Sequence, residues 1–564
     1  MDRARHVTDR PWLKFYPAGV PTDVAPAIYP SLVALVDESL QRHRARPACR
    51  FMGRMLSFAQ LDEMSRALAA WLQTQALSRG DRVAIMLPNV PQYPVAVAAV
   101  LRAGMVVVNV NPALTPRELE HQLRDAGARA IVVLESHAAA LVQVLASVPT
   151  QTVVVASMGD LLGRVKGAVV NHIARRVHKA PAAPDVPGAV RFNDALRAGR
   201  LRAFVPPAVG PDDIALLQYT GGTGGAARAA VLLHRSLVAT VLQCEAWLQP
   251  ALARMPAGEP VGMVCALPLH HGCAFTLNLL LGLRLGACNL LVPDPRDIGG
   301  LLRDLAGQRF HVLPAVDSLL LAIARHPDCT KVDWTGLRVC LGGGMPLRSS
   351  TARLWLEKTG CAVAEGYGLT EAGPLVTCNP LDGSPPSGTV GLPLPATEVA
   401  VLDDAGQPLP AGSAGEVAVR GPQVMAGYWQ RPDETARVMT ADGWLRSGDV
   451  GAMDERGQLR LVDRKKDTIL VSGFSVYPNE VEQVIAQMPG VLECAAVAMA
   501  DDRAGEVVRV VIVRRDPRLT EADIRAHCEA NLTGYKRPRR VEFRDALPKS
   551  PVGKVLRREL RDAA

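Results

Sequence analysis

The chain has 564 residues, of which 48% are apolar and 21% charged, so disordered and fibrous classes are excluded. Roughly three or four domain-sized units are expected, or one large α/β domain with appendages. The formal net charge of +8 permits an anionic ligand or an anionic membrane surface, but it is too diffuse to argue for nucleic acid. Eleven cysteines, an odd number with no C-x-x-C pair, exclude a disulfide framework and a zinc ribbon and suit a reducing, cytoplasmic setting. The N-terminus carries charge but no apolar core of the signal-peptide kind. The longest charge-free stretch, 260–283, has the length of a membrane span but holds Pro268, His270, His271 and Asn278. It reads as buried core with a functional turn.

The first half alternates strand and helix signals. GDRVAIMLPN (80–89) reads as a short apolar strand, 93–104 as a buried helix closed by Gly104, and MVVVNVNP (105–112) as a β-branched strand stopped by Pro112. Thr115, Pro116 and Glu118 form a capping box that opens a helix running to Ala126, and 128–133 is the next strand. Such βαβ units predict a parallel sheet with helices on its faces. The segment 160–179 is a basic amphipathic helix whose Leu161, Val165, Val169, Ile173 and Val177 share one face. That face either packs on the body or lies on an anionic membrane, and both readings stay open. Beyond residue 398 short strands split by Asp-Asp-Ala-Gly and Pro/Gly/Ser turns predict a small β subdomain. The last hundred residues read as an α+β unit, with strands at 491–500 and 506–515 and a helix capped by Thr520 and Asp523.

Between strand and helix signals, LLQYTGGTGGAARAAVLLHRSL (216–237) holds a glycine- and threonine-rich loop. Gly221, Gly222, Gly224 and Gly225 let backbone N–H groups close around phosphate oxygens, Thr220 and Thr223 offer hydroxyls, and Arg228 offers a cation. It is not a Walker loop, because the terminal Gly-Lys-Ser/Thr is absent. Taken alone, such a turn is as consistent with a flexible surface loop as with a phosphate site.

The loop resembles the phosphate loop of adenylate-forming enzymes, the superfamily of acyl-CoA synthetases, peptide-synthetase adenylation domains and firefly luciferase. Four further stretches resemble that family in order: LGGGMP (341–346), EGYGLTE (365–371), DGWLRSGDVGAMDERGQLRLVDRKKD (442–467) and PKSPVGKVLRREL (548–560). The stretches 10–24 and 107–123 narrow the resemblance to bacterial long-chain fatty-acid–CoA ligases. It covers nearly the whole chain. The resemblance implies an α/β fold: a large adenylation domain over 1–463, with parallel-rich sheets and a β subdomain at about 390–463, then a small mobile α+β domain over 464–564.

It also implies a two-step reaction. A fatty carboxylate attacks the α-phosphate of ATP to give acyl-AMP and pyrophosphate, and CoA thiolate then displaces AMP. By position, Tyr219, Thr220, Gly221, Gly222, Thr223, Gly224, Gly225 and Arg228 would hold ATP, with Gly342, Gly343, Gly344, Tyr367 and Gly368 on the adenine side. Glu371 and Thr223 would carry Mg²⁺, Thr370 would meet the α-phosphate, and His271 would lie near the acyl carboxylate. Asp449 would accept from the ribose hydroxyls, Arg464 would reach ribose or phosphate, Lys466 would be the hinge, and Gly473 would line the CoA channel. Lys554 would be the catalytic cation bridging carboxylate and α-phosphate. The implied partners are fatty acid, ATP and CoA; a homodimer and the inner face of the cell membrane stay open.

The sequence departs from the family pattern at five positions. Gly224 stands where Thr or Ser is usual, Arg228 where Lys is, and Ala229 where Gly is. His270 and Gly272 replace the usual Tyr and Ile, opening volume near the carboxylate. One lost phosphate hydrogen bond costs about 1–3 kcal/mol, a weakening rather than an abolition. A weakly active or non-catalytic paralogue, and an acyl-AMP ligase that loads a carrier protein, are therefore kept as alternatives.

Overall fold

The computed structural model describes residues 10–177, 186, 188–220, 227–256, 258–384, 387–471, 474–501, 504–550 and 554–562. Two compact units emerge. The larger comprises Phe15–Glu398 and Arg420–Leu445, and the smaller gathers Met1–Lys14, Val399–Val419 and Arg446–Ala564.

In the larger unit, β-branched segments too short to hide alone pair into two wide sheets. One has eight strands, with Arg82–Met86 at its centre between Val106–Asn109 and Ala128–Leu134, all parallel. Ile214–Thr220 joins Val106–Asn109 in parallel, and Arg228–Leu233 returns antiparallel beside it. The two-residue strand Gly427–Tyr428 closes that edge. The second sheet has nine strands, with Gly262–Cys265, Val312–Ala315, Val339–Gly342 and Val363–Leu369 parallel at its centre. Both central strand sets are buried on both faces, as parallel sheets covered by helices must be.

Local rules set the connecting helices. Thr115 caps Pro116–Ala126 and Glu118 reaches back to the Thr115 N–H, completing the predicted box, and Gly127 at φ 59° ends the helix. The predicted strands at 80–89 and 105–112 are present, trimmed to Arg82–Met86 and Val106–Asn109, and the one at 128–133 runs one residue further, to Leu134. The stretch 260–283 is a buried strand, a turn and a short helical run with a π segment, Phe275–Leu280. Among the described residues no helix is long and apolar enough to cross a membrane.

The helix Arg164–Val177 begins after Leu161, so that residue is not on its stripe. The helix packs through Gly167 and Asn171: a Cβ at Gly167 would collide with the Gly159 carbonyl, and Asn171 Oδ1 accepts from the Gly159 N–H at 2.6 Å. Val165, Val169 and Ile173 are consequently turned outward, at 81%, 53% and 53% exposure. The apolar stripe does not cover the body of the protein; the side chain of Val177 lies outside the described residues.

The smaller unit contains a four-stranded sheet of Glu398–Leu402, Ala414–Arg420, Leu445–Met453 and Leu459–Arg464, which spills into the larger unit only at its ends. It also contains a five-stranded sheet in which Gly505–Arg514 is flanked by Val491–Asp501 and Arg540–Phe543. The predicted helix is Glu521–Asn531, with Thr520 and Asp523 forming a reciprocal cap. The small β subdomain was expected to belong to the N-terminal body, with the boundary at 463–464. It instead groups with the C-terminal region, because polar contacts cross that boundary. Lys465 pairs with Asp404 at 2.9 Å and Glu416 at 3.3 Å, the Asn479 N–H donates to Asp463 at 2.7 Å, and Arg557 lies 3.7 Å from Asp463.

Candidate active site

The larger unit gathers its polar residues at the carboxyl ends of the parallel strands, where open α/β sheets place ligands. A chain of buried hydrogen bonds links the two sheets there. Asn89 donates to the carbonyls of Cys265 and Leu267, both at 3.0 Å, and accepts from the Leu269 N–H at 2.8 Å. The Tyr93 hydroxyl bonds Asn109 at 2.6 Å and the Leu269 carbonyl at 2.9 Å. Asn109 donates to Gln218 at 2.9 Å, and Gln218 donates to the His270 carbonyl at 3.1 Å. The turn 266–271 is therefore clamped at both ends.

His271 stands on that clamped turn. Its surface is open to solvent, yet protein surrounds it closely enough to disfavour the imidazolium, so its pKa is lowered. Its Nδ1 takes a long 3.5 Å contact from the Cys273 N–H, which leaves the proton on Nε2 as a donor. A neutral donor suits a carboxylate that must remain nucleophilic. Burial pushes neighbouring His270 down to about 3, and its Nδ1 is buried with no hydrogen-bond partner. A Cβ at Gly272 would stand in ordinary van der Waals contact with Gln218, 3.7 Å from its Cγ. Burial also pushes the Cys273 thiol up to about 12, and all eleven cysteines are free.

The glycine turn expected on the adenine side ends strand Val339–Gly342. A Cβ at Gly342 would lie 2.8 Å from Val363 Cγ1, one at Gly343 would lie 3.0 Å from the Gly366 carbonyl, and Gly344 has φ 77°. Arg348, just beyond, is held bidentate by Asp317 through its N–H at 3.0 Å and its Nε at 2.7 Å. Glu365, at the start of the next motif, is pushed up to about 7 by burial.

Thr370 and Glu371 sit on the short turn Thr370–Ala372 between two antiparallel strands. The turn is pinned by Met425, whose N–H donates to the Glu371 carbonyl at 2.8 Å. Tyr428 donates its hydroxyl to Glu371 Oε1 at 2.8 Å. Among the described residues the other oxygen, Oε2, has no hydrogen-bond partner, and no cluster of three metal-ligating side chains occurs. One available carboxylate oxygen fits a hard cation whose remaining ligands are phosphate and water, which is how Mg²⁺ is commonly carried. Tyr367 is buried in the same hairpin. Gly368 has a structural reason to be glycine: a Cβ there would collide with the Pro374 carbonyl.

The phosphate loop itself, Gly221, Gly222, Thr223, Gly224 and Gly225, lies outside the described residues, as does Gly473. The flanks are described. Thr220 makes only a 3.5 Å contact to the Arg228 carbonyl, and Tyr219 gives its hydroxyl to Asp125 at 2.7 Å. Asp125 lies on the helix Pro116–Ala126, so this bond ties the end of the strand to that helix. Arg228 pairs with Glu434 at 2.9 Å and lies over the Tyr428 ring, 4.0 Å from its centroid. Ala229 stands where the family pattern has Gly. It lies in strand Arg228–Leu233 opposite Tyr219, outside the positive-φ residues, so its Cβ costs nothing there.

The smaller unit assembles the remaining predicted residues. Asp449 and Arg464 are cross-strand partners, with Nε 3.5 Å from Oδ1. The Lys554 N–H donates to Ser550 Oγ at 3.1 Å, and its carbonyl accepts from the Ser550 N–H at 2.7 Å. Burial, with Arg464 close by, pushes the Lys554 ammonium down to about 8, while Asp449 works in the opposite direction. Lys466 is also pushed down to about 8 by burial and Arg464. Arg557 was not foreseen. It pairs with Glu482 at 2.8 Å, donates to Asn479 at 2.6 Å, and lies 3.6 Å from Asp467 beside the hinge. Tyr428 and Glu434 were also missed, although both stand in GYWQRPDET (427–435), whose aromatic and charged residues were a usable signal.

The chain matches the AMP-binding enzyme model over residues 36–429 and the AMP-binding enzyme C-terminal domain model over 480–554. It is 49% identical to the long-chain-fatty-acid–CoA ligase of Escherichia coli O6:H1, over 98% of each chain. It is 43% identical to that of Haemophilus influenzae, again over 98% of each chain. The ATP-bound MatB of Rhodopseudomonas palustris superposes with a TM-score of 0.78 at 29% identity, covering 93% of this chain and 98% of that one. The chain belongs to the AMP-binding enzyme family.

Proposed function

We propose that the chain activates a long-chain fatty acid to acyl-AMP with ATP and transfers the acyl group to CoA, releasing pyrophosphate and then AMP. The observation that carries this reading is likeness to long-chain-fatty-acid–CoA ligases at 43% and 49% identity over nearly full length. The first step joins two anions, so it needs neutral donors and fixed cations where negative charge accumulates.

In this reading His271 donates to the fatty carboxylate through Nε2, and the Gly342–Gly344 turn lets the backbone approach adenine. Glu371 supplies one oxygen to the nucleotide's Mg²⁺, which when bound neutralises phosphate charge. Asp449 accepts from the ribose hydroxyls and Arg464 orients it. Lys554 is the cation that neutralises the carboxylate and α-phosphate as they react, so the smaller unit must deliver it to the nucleotide. Thr370, the 221–225 loop and Gly473 keep the roles that the resemblance implies. The test is pyrophosphate release with a panel of C6 to C18 acids, with and without CoA. Release and CoA-dependent thioester are expected; no product with any acid overturns the reading.

The exposed Val165, Val169 and Ile173, flanked by exposed Arg164 and Lys166, support docking of this helix on an anionic membrane, from which the acid is drawn. Arg175 already pairs with Glu135 at 3.0 Å, so the apolar residues make the sharper test. The double substitution Val169→Glu and Ile173→Glu should abolish cosedimentation with phosphatidylglycerol vesicles while activity on micellar acid stays intact. Unchanged vesicle binding refutes the docking, as does self-association through this face in light scattering.

A further inference from the structure

Arg228 follows the glycine-rich loop and stands where the related enzymes carry a lysine, so its cation was expected on a phosphate. Its neighbours say otherwise. Nη1 is 2.9 Å from Glu434 Oε2, and the guanidinium carbon lies 4.0 Å from the centroid of the Tyr428 ring. The far end of that ring donates to Glu371 Oε1 at 2.8 Å. Cation, ring and carboxylate thus form a chain of contacts, the cation over the ring's face and the carboxylate at its hydroxyl, contributed by three separate segments.

Nothing in this line is loose. Arg228 opens the strand Arg228–Leu233, and Gly427–Tyr428 pairs antiparallel with it, Tyr428 opposite Ala230 and Gly427 opposite Val231. The Tyr428 N–H is held by Thr435 Oγ1 at 2.9 Å, on the helix Pro432–Val438 that also carries Glu434. Tyr428 is 6% exposed, so its hydroxyl has little recourse to water. A guanidinium can stack flat on a ring while its edge pairs with a carboxylate; an ammonium offers no face and no fork. A cation against the ring also makes the phenol a stronger donor toward Glu371.

We propose that Arg228 and Tyr428 are positioning residues for Glu371. Tyr428 occupies Oε1, which turns Oε2 toward the nucleotide's cation, and Arg228 with Glu434 holds the Tyr428 ring in place. Arg228 acts on the metal through Tyr428 rather than on a phosphate directly. The departure from lysine is then a built-in part of this site and not a lesion in it. The inference rests on Glu371 serving the nucleotide's Mg²⁺.

The experiment compares Tyr428→Phe, Arg228→Lys and Glu371→Gln by two readouts: the Mg²⁺ concentration for half-maximal pyrophosphate exchange, and calorimetric binding of ATP with Mg²⁺ and in EDTA. Tyr428→Phe should raise the Mg²⁺ requirement about tenfold, the scale of one lost hydrogen bond to a charged group. Its ATP affinity in EDTA and its KM for the fatty acid should stay within about twofold, because neither depends on the Glu371 orientation. Arg228→Lys should shift the same two readouts in the same direction, and the double variant should be no worse than the poorer single. Weaker ATP binding in EDTA with an unchanged Mg²⁺ requirement in Arg228→Lys would make the guanidinium a phosphate ligand and overturn the proposal. So would a gain of activity on restoring lysine. If Glu371→Gln leaves the Mg²⁺ requirement unchanged, the reading of Glu371 itself fails, a result distinct from failure of Tyr428→Phe alone. A variant whose melting temperature collapses is replaced by Tyr428→Trp, which keeps the ring and loses the phenol; retention of the wild-type Mg²⁺ requirement there also overturns the relay.

Discussion

The two units carry polar groups of opposite character. The larger one offers neutral donors: backbone N–H groups at glycines, an uncharged His271, and amide side chains locked into the Tyr93–Asn109–Gln218 chain. The smaller one crowds Arg464, Lys466 and Lys554 around Asp449, with Arg557 beside them, and two of its lysines are pushed down to about 8. Neutral donors can be preorganised without electrostatic cost, so they suit the half that keeps the substrate. Clustered cations repel one another until an anion arrives, so they suit a half whose contribution is needed for one step only.

That contrast can be broken most sharply at Lys554. Lys554→Ala should cut pyrophosphate exchange by about a hundred- to a thousandfold, the scale of losing one group aimed at developing charge. Thioester formation from supplied acyl-AMP should fall less than about fivefold. Equal losses in both steps would dissolve the division of labour. Next in size is Arg557→Met, which leaves Glu482 and Asp463 without their buried cation. It should destabilise the smaller unit by about 3 kcal/mol, seen as an earlier first transition in calorimetry, with the main transition of the larger unit unmoved. In the larger unit, Gln218→Leu removes the donor to the His270 carbonyl and should lower kcat/KM for the fatty acid about tenfold, with ATP affinity retained. The smallest effect concerns pH. Lys554 is cationic below about 8 and loses its charge above it, so pyrophosphate exchange should fall as pH rises through that value. Lys466→Gln removes a like charge, raises the Lys554 pKa, and should move the fall upward by a few tenths of a unit. A downward shift would refute the proposed coupling.

Elements set by local chemistry were legible in the chain. The boxes at Thr115 with Glu118 and at Thr520 with Asp523 start helices where the residues say they should, because a cap needs partners only three positions away. Long-range choices were not. Periodicity placed Val165, Val169 and Ile173 on one face but could not say which way that face turns; the close approach of Gly167 to Gly159 decides it. The Tyr428 hydroxyl meets a carboxylate 57 residues away, and no spacing rule carries such a pairing. The resemblance put the small antiparallel sheet in the N-terminal body, whereas its ion pairs run to the C-terminal region. Gly368 was not legible either: the hairpin it sits in leaves no room for a Cβ, because the Pro374 carbonyl of the returning strand stands there.

The state of the cysteines has a chemical corollary. An acyl adenylate is an electrophile awaiting a thiol, and Cys273 stands two residues from the histidine assigned to the carboxylate. Were that side chain an ordinary surface thiol, a few per cent of it would be thiolate at neutral pH, and the protein would compete with CoA for its own intermediate. Burial holds Cys273 up at about 12, and Cys288 and Cys361 at about 11, far on the protonated side. A thiol held protonated is a poor nucleophile, so at Cys273 burial leaves little thiolate to compete with CoA.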